Sequence, residues 1–162
     1  MTTPANLRHV SLVEVLDAIG SSEPSSGAGI AAAVALALAT SCALKAVGIT
    51  LKRGPDDALE QRAALLLAQR DRALERAEVD AHLFGQYMAN REPRDAAMLV
   101  VAAADFQALA KEVAVAIDDL DARVLPSVVS DVTAARQLHS AAVDIEALIK
   151  RSSRELQSRT MP

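Results

Sequence analysis

Two aspartates and one run of small residues are the groups whose types and positions could do chemistry in this sequence. Asp80 lies on an apolar helical stripe, seven residues after Ala73 and four before Phe84. A carboxyl group buried there without a partner would have a raised pKa and could exchange a proton with a ligand. The alternative is a structural ion pair, with Arg70 or with a basic residue of another helix.

The second aspartate, Asp131, follows Ser130 where the last helix is expected to begin. Ser and Asp are favoured at helix starts, and a negative charge is stabilised there. Simple helix capping therefore explains this pair of residues as well as a site does.

The run of small residues, Ser25-Ser26-Gly27-Ala28-Gly29, opens the most apolar helix of the chain. Free backbone N–H groups at a helix start can hold an anion or a carbonyl oxygen. The small side chains would let a ligand or a neighbouring helix come close. No Gly-Lys-Ser/Thr follows, so the run is not a phosphate-binding loop of that type.

The helix that must position these groups spans residues 27–51. Residues 24–44 carry no charge, and Ala dominates them, with Val, Leu and Ile on every side. A helix that is apolar all round must be surrounded, and Ala lets neighbouring backbones come close. We therefore predict a buried central helix. A membrane anchor is the alternative, and it is less favoured because Ala drives insertion less than Leu, Ile, Val and Phe.

Helical spacing of apolar residues predicts four further helices, and no alternating strand pattern, repeat or long linker is present. They run over His9–Ile19, from Asp56 or Asp57 to Asn90, from Pro93 to Leu120, and from Ser127 or Ser130 to Leu156. The predicted fold class is all-α, an up-and-down helical bundle with a buried Ala-rich central helix. We expect one domain over residues 1–162.

Composition excludes several classes of protein. A net charge of −4 and a pI near 5.4 argue against nonspecific nucleic-acid binding. Cys42 is the single cysteine, which excludes an internal disulfide, and His9 and His139 have no partners at metal-ligand spacing. We expect neither a metal nor a resident cofactor. Residues 1–6 are short and polar and do not form a signal peptide, so a cytoplasmic location is expected.

Three segments, in this order, carry a resemblance to a known family. They are residues 24–31 (PSSGAGIA), 80–88 (DAHLFGQYM) and 127–131 (SVVSD). They are similar to the Pro-Gly-rich stretch, the Asp-Ala-x-Ala-Phe/Tyr-x-x-x-Met segment and the Asn-Val-Ile/Val-Ser-Asp segment of the cyclodeaminase/cyclohydrolase family. That family includes methenyltetrahydrofolate cyclohydrolases and the cyclodeaminase half of formiminotransferase-cyclodeaminase. The resemblance spans residues from about 11 to about 150.

This resemblance implies an all-helical homodimer with a folate site near the Gly-rich helix start and the subunit interface. It implies a reaction that adds or removes water or ammonia at the one-carbon bridge of methenyl- or formimino-tetrahydrofolate, without a metal. Partners would be a second copy and the small-molecule substrate, with no nucleic acid or membrane. Asp80 and Asp131 become the candidate catalytic residues, and we expect their side chains to converge on one cavity. The candidate substrate-binding residues are Ser25, Ser26, Gly27, Ala28, Ser130, Lys52 and Phe84.

Several positions depart from the family's pattern. Ser25 and Ser26 replace two of its three glycines, Gly54 stands where a Tyr would be, and Asp144 and Ile149 replace an Arg and an Asn. A serine adds bulk where a ligand would approach. Two alternative functions follow: a diverged member that acts on another small cyclic amine or imine, and a non-catalytic helical subunit that binds a partner.

Overall fold

The structure is a computed structural model that describes residues 10–22 and 26–160, and this part of the chain is helical without a strand. The prediction of an all-α bundle is confirmed. The elements are α1 (Leu12–Gly20), α2 (Gly27–Leu51), α3 (Asp57–Asn90), α4 (Pro93–Ile117), α5 (Leu120–Arg123) and α6 (Val129–Thr160), with a 3-10 turn at Pro126–Val128 before α6.

Helix α2 has the predicted bounds and lies at the centre of the bundle. It packs mainly against α3 and α6, and α4 packs against the same two helices. Its alanines fill the contacts, and Ala32, Ala39, Ala43 and Ala46 are fully buried. By length and hydropathy α2 could also cross a bilayer, but 56% of its most apolar window is buried inside the bundle.

Local sequence signals set most helix ends. The Asp56 carboxylate accepts backbone N–H bonds from Ala58 and Leu59, both at 3.0 Å, and so caps α3 as predicted. Pro93 occupies the first turn of α4, where its missing N–H has no cost. Between these helices Arg91 adopts a left-handed conformation with φ 57°, which ends α3.

Three predicted boundaries were wrong. Helix α6 continues to Thr160 rather than ending near Leu156. Helix α1 begins at Leu12, because Ser11 and Glu14 form a capping box there; His9 lies outside the described residues. Helix α4 ends at Ile117 rather than Leu120. The Arg62 guanidinium of α3 donates to the last carbonyl oxygens of α4, at 2.8 Å for Ala116.

The close packing of α2 predicts opposite effects for two substitutions on that helix. Ala43→Leu adds bulk to a fully buried contact, so it should lower the free energy of unfolding by about 1–3 kcal/mol. Gly48→Ala adds a Cβ into open space on an exposed helical site, so it should raise that free energy by about 0.5–1 kcal/mol. Urea unfolding measures both. A helix surrounded by lipid would instead tolerate leucine at position 43, and unchanged stability there would contradict the fold.

Candidate functional site

Asp80 reaches from α3 to the first turn of α2. The Ser26 hydroxyl donates a hydrogen bond to Asp80 Oδ2. Ser26 is buried and occupies the N-cap position of α2, yet its hydroxyl makes no capping bond to the helix backbone. The serine therefore holds the carboxylate rather than the helix end.

The close approach of Asp80 depends on Gly29. A Cβ at position 29 would overlap Asp80 Oδ2 and would lie 2.6 Å from Asp80 Cγ and 2.5 Å from Ser26 Oγ. Gly27 makes a separate close contact, because a Cβ there would lie 3.0 Å from the carbonyl oxygen of Ile19. Gly27 thus lets the end of α1 come close to α2, and Gly29 lets the Asp80 carboxylate come close.

A small cavity lies beside this carboxylate, where four helices meet. Its volume is about 10 Å³, room for about one water molecule. Its lining residues come from all four long helices: Gly29 and Ala33 of α2, Arg76 and Asp80 of α3, Ala102 and Phe106 of α4, and Glu146 of α6.

Glu146 is the second carboxyl group of the cavity, and its side chain is only 5% exposed. It makes no hydrogen bond or ion pair with any described residue. Burial, and then the negative charge of Asp80, raise the pKa of Glu146 to about 7, while Lys150 opposes the shift. Glu146 is therefore partly protonated at neutral pH.

Burial also raises the pKa of Asp80, although the hydrogen bond from Ser26 opposes this shift. Arg76 lines the same cavity, but its guanidinium pairs with Asp105 at 3.0 Å. The two carboxyl groups differ in environment, because Asp80 accepts a hydroxyl hydrogen bond and Glu146 does not. Such a difference separates proton acceptor from proton donor.

Asp131 does not join this site within one chain. Its Oδ1 pairs with Lys45 Nζ at 3.0 Å, on the second half of α2. Lys45 follows Gly29 by 16 positions, which is about 24 Å along a helix that rises about 1.5 Å per residue. The expected convergence of Asp80 and Asp131 is therefore wrong for a single chain. A catalytic role for Asp131 stays a prediction.

The other predicted binding residues are dispersed. Lys52 and Ser130 are exposed near the far end of α2, and Ala28 is exposed at its start. Phe84 is half-buried one turn beyond Asp80 and packs with the Tyr87 cluster rather than lining the cavity. Ser26 and Gly27 lie at the start of α2 as described above. Ser25 lies outside the described residues.

Glu146 and Arg76 were not predicted from the sequence, and Arg70 was predicted as a possible partner of Asp80. Arg70 instead pairs with the adjacent Asp71 at 2.9 Å. The signal for Glu146 was available: it follows the buried Ala142 by four residues, on the seam that Ser153 continues seven residues later. Ile145, the apolar residue just before Glu146, is only half-buried.

Gly29→Ala tests the close approach of Asp80. In an ordinary helical site, glycine to alanine raises stability by about 0.5–1 kcal/mol. At position 29 the new methyl must displace the carboxylate, so we expect a loss of about 1–3 kcal/mol in urea unfolding. Gly85→Ala, with open space around the new Cβ, is the matched control and should be stabilising. The cost of Gly29→Ala should fall in an Asp80→Gly background; an equal cost would contradict the contact.

The raised pKa of Glu146 predicts that the free energy of unfolding falls as pH rises. Its pKa is about 7 in the folded protein and 4.5 ordinarily, so the folded state holds the proton more tightly. The contribution is fully present below about pH 4.5 and is lost as pH rises through about 7, a change of about 3 kcal/mol. Urea unfolding at several pH values in this range should show that Glu146→Gln removes this decrease of the free energy of unfolding with pH. Asp144→Asn, an exposed change on the same helix, should keep it.

The fold of this chain is also found in a protein of known structure. No family model matches the chain, and no curated protein is similar to it in sequence. Its structure is similar to the crystal structure of formiminotetrahydrofolate cyclodeaminase from Thermotoga maritima, with a TM-score of 0.86 and 19% sequence identity. The similarity covers 93% of this chain and 81% of that one. The chain therefore shares the fold of that enzyme.

Proposed function

We propose that this chain is an enzyme that acts on a C–N bond of a tetrahydrofolate one-carbon adduct, as a cyclodeaminase or cyclohydrolase. The observation that carries the proposal is the cavity beside Asp80, which has room for one water or ammonia and presents two carboxyl groups. The fold shared with the Thermotoga maritima cyclodeaminase supports the same reaction class. Fold alone does not determine chemistry, so the argument depends on the site.

The reaction class needs one group that accepts a proton and one that donates it. In cyclohydrolysis, the oxygen of water attacks the methenyl carbon and forms a C–O bond. One C–N bond then breaks, and its electron pair returns to nitrogen. In cyclodeamination, a ring-side nitrogen attacks the formimino carbon and ammonia leaves. Either way, a proton leaves the attacking group and another reaches the leaving nitrogen.

The chain offers a residue for the proton-accepting role. Asp80, held by the Ser26 hydroxyl, is the proton acceptor, because its carboxylate keeps one stabilising hydrogen bond. Ser26 is a positioning residue. The body of the folate would lie outside the cavity, at the start of α2, since the cavity itself admits only a molecule the size of water.

We also propose that the chain acts as a cytoplasmic homodimer and that the reaction needs no metal. The dimer would matter for Asp131, which is remote from Asp80 within one chain. If Asp131 takes part in the reaction, a second copy must bring it to the cavity, together with Ser130 and Lys52. The residues at the start of α2, Ser26 to Ala28, would then line the entrance.

A diverged enzyme that acts on a smaller cyclic amine or imine is the second candidate. The cavity volume of about 10 Å³ favours it, because sites that bury drug-sized ligands typically enclose about 300–1,000 Å³. Ser26 also takes up space where the family has glycine. A smaller ring would place its reacting carbon beside Asp80 with fewer contacts to the rest of the protein.

Purified protein should accelerate the loss of near-ultraviolet absorbance of 5,10-methenyltetrahydrofolate, or the formation of that absorbance from 5-formiminotetrahydrofolate. Asp80→Asn should lower kcat/KM by about 10²–10⁴-fold, because a positioned proton acceptor contributes about that much. Asp144→Asn, which is exposed on α6, is the matched control and should keep the wild-type rate. Absence of acceleration with both folates would overturn the folate assignment.

Asp131→Asn in the same assay separates two arrangements. If its carboxylate serves only the ion pair with Lys45, which is 62% exposed, the rate should change less than tenfold. A loss as large as that of Asp80→Asn would place Asp131 in the reaction through a second copy. Thermal-shift measurements with small cyclic amines and imines test the second candidate, since a ligand that binds only the folded state raises Tm.

A further inference from the structure

The burial of Glu146 is not explained by packing or by pairing. Its neighbours on the buried seam of α6 are small or apolar, such as Ala135 and Ala142. Glu146 is 5% exposed and has no hydrogen-bond partner among the described residues, so its oxygens keep little contact with water and their desolvation costs free energy. Its side chain lines the cavity beside Asp80, which is where a partner would have to lie.

Two basic side chains lie near the cavity, and both bind residues of α4 instead of Glu146. Arg76 of α3 pairs with Asp105 of α4 at 3.0 Å. Lys150, one turn beyond Glu146 on α6, donates to the Gln107 amide oxygen of α4 at 2.6 Å. Neither forms an ion pair with Glu146, although Lys150 lowers its pKa from a distance.

The remaining cavity walls carry no charge. Helix α2 contributes Gly29 and Ala33, and α4 contributes Ala102 and Phe106. The titratable groups that face Glu146 are therefore Asp80 and Arg76 from α3 and Lys150 from its own helix. Two carboxyl groups thus face a partly open cavity with room for about one water molecule.

We propose that Asp80 and Glu146 form a binding site for one ammonium ion. Ammonium is about the size of water, and its N–H groups can donate to the oxygens of both carboxylates, as charge-assisted hydrogen bonds. The cavity volume of about 10 Å³ fits ammonium, whereas the alkyl group of an alkylammonium ion would have to lie outside it. The inference rests on the proposed function only for the ion's role there. The nitrogen of a protonated formimino group would leave as ammonia once the proton that Asp80 accepts has passed to it. That ammonia then takes the Glu146 proton and becomes ammonium between two carboxylates.

Ammonium and the proton on Glu146 compete. A cation between the carboxylates favours their ionised forms, so binding lowers the pKa of Glu146 below about 7 and releases the proton. Ammonium should therefore bind more tightly as pH rises through neutrality. Potassium has the same charge and a similar size but no N–H groups, and methylammonium keeps N–H groups but is too large.

The test compares Tm in ammonium, potassium and methylammonium chloride at equal ionic strength, near pH 6 and near pH 8. Ammonium should raise Tm by about 2–4 °C over potassium near pH 8, and by less near pH 6. Glu146→Gln and Asp80→Asn should lose this difference. Glu155→Gln, which is exposed on the same helix, should keep it.

Equal Tm values in ammonium and potassium for the wild-type protein would overturn the site, as would a difference retained in Glu146→Gln. Methylammonium that stabilises as well as ammonium would overturn the assignment to this cavity. If either variant fails to fold, the wild-type dependence on pH decides: an ammonium effect that does not grow toward pH 8 contradicts a role for Glu146. An ammonium effect in a protein inactive toward both folates would leave the site and remove the proposed reaction.

Discussion

The contact between Asp80 and the first turn of α2 is the interaction on which the rest of the site depends. It exists because position 29 has no side chain, so α3 can bring a carboxylate against the helix backbone. The Ser26 hydroxyl then donates the hydrogen bond that the carboxylate accepts. Inside a packed bundle such a bond is stronger than in water, and an unpaired carboxylate would be correspondingly costly. The same approach brings Asp80 to the cavity that Glu146 lines.

The alanine packing of α2 makes this geometry rigid and also limits what one chain can do. The far end of α2 is fixed by other polar contacts: Thr50 accepts the backbone N–H of Leu125 at 3.1 Å, and Lys45 pairs with Asp131. Because α2 is a continuous helix, its length separates Asp80 from Asp131. Asp80 contacts α2 at Gly29 and Asp131 contacts it at Lys45, about 24 Å further along the axis, so the two carboxylates of one chain cannot contact the same reacting carbon. A reaction that used both would need two chains.

Local rules predicted what local interactions determine. The bounds of α2, the Asp56 cap and Pro93 in the first turn of α4 follow from residues within a few positions of each other. The end of α4 could not be predicted that way, because Arg62 from another helix binds its last carbonyls. The residues of the site also fall into those that local sequence predicts and those that depend on contacts between helices. Asp80 was found from its own helix, while the partners of Asp131 and Arg70 depend on how helices pair.

The burial of Glu146 is unlike that of a carboxyl group in a structural ion pair. A structural pair would satisfy both partners and lower the pKa of its carboxyl group. At Asp80 and at Glu146 desolvation is the largest effect and exceeds the opposing ones, so both pKa values are raised. An alanine or leucine at position 146 would fit the seam at lower cost, so the carboxyl group reduces stability at neutral pH. Proteins retain such costs where chemistry or binding needs them, and a cavity of one-water size between the two groups is where that need would arise.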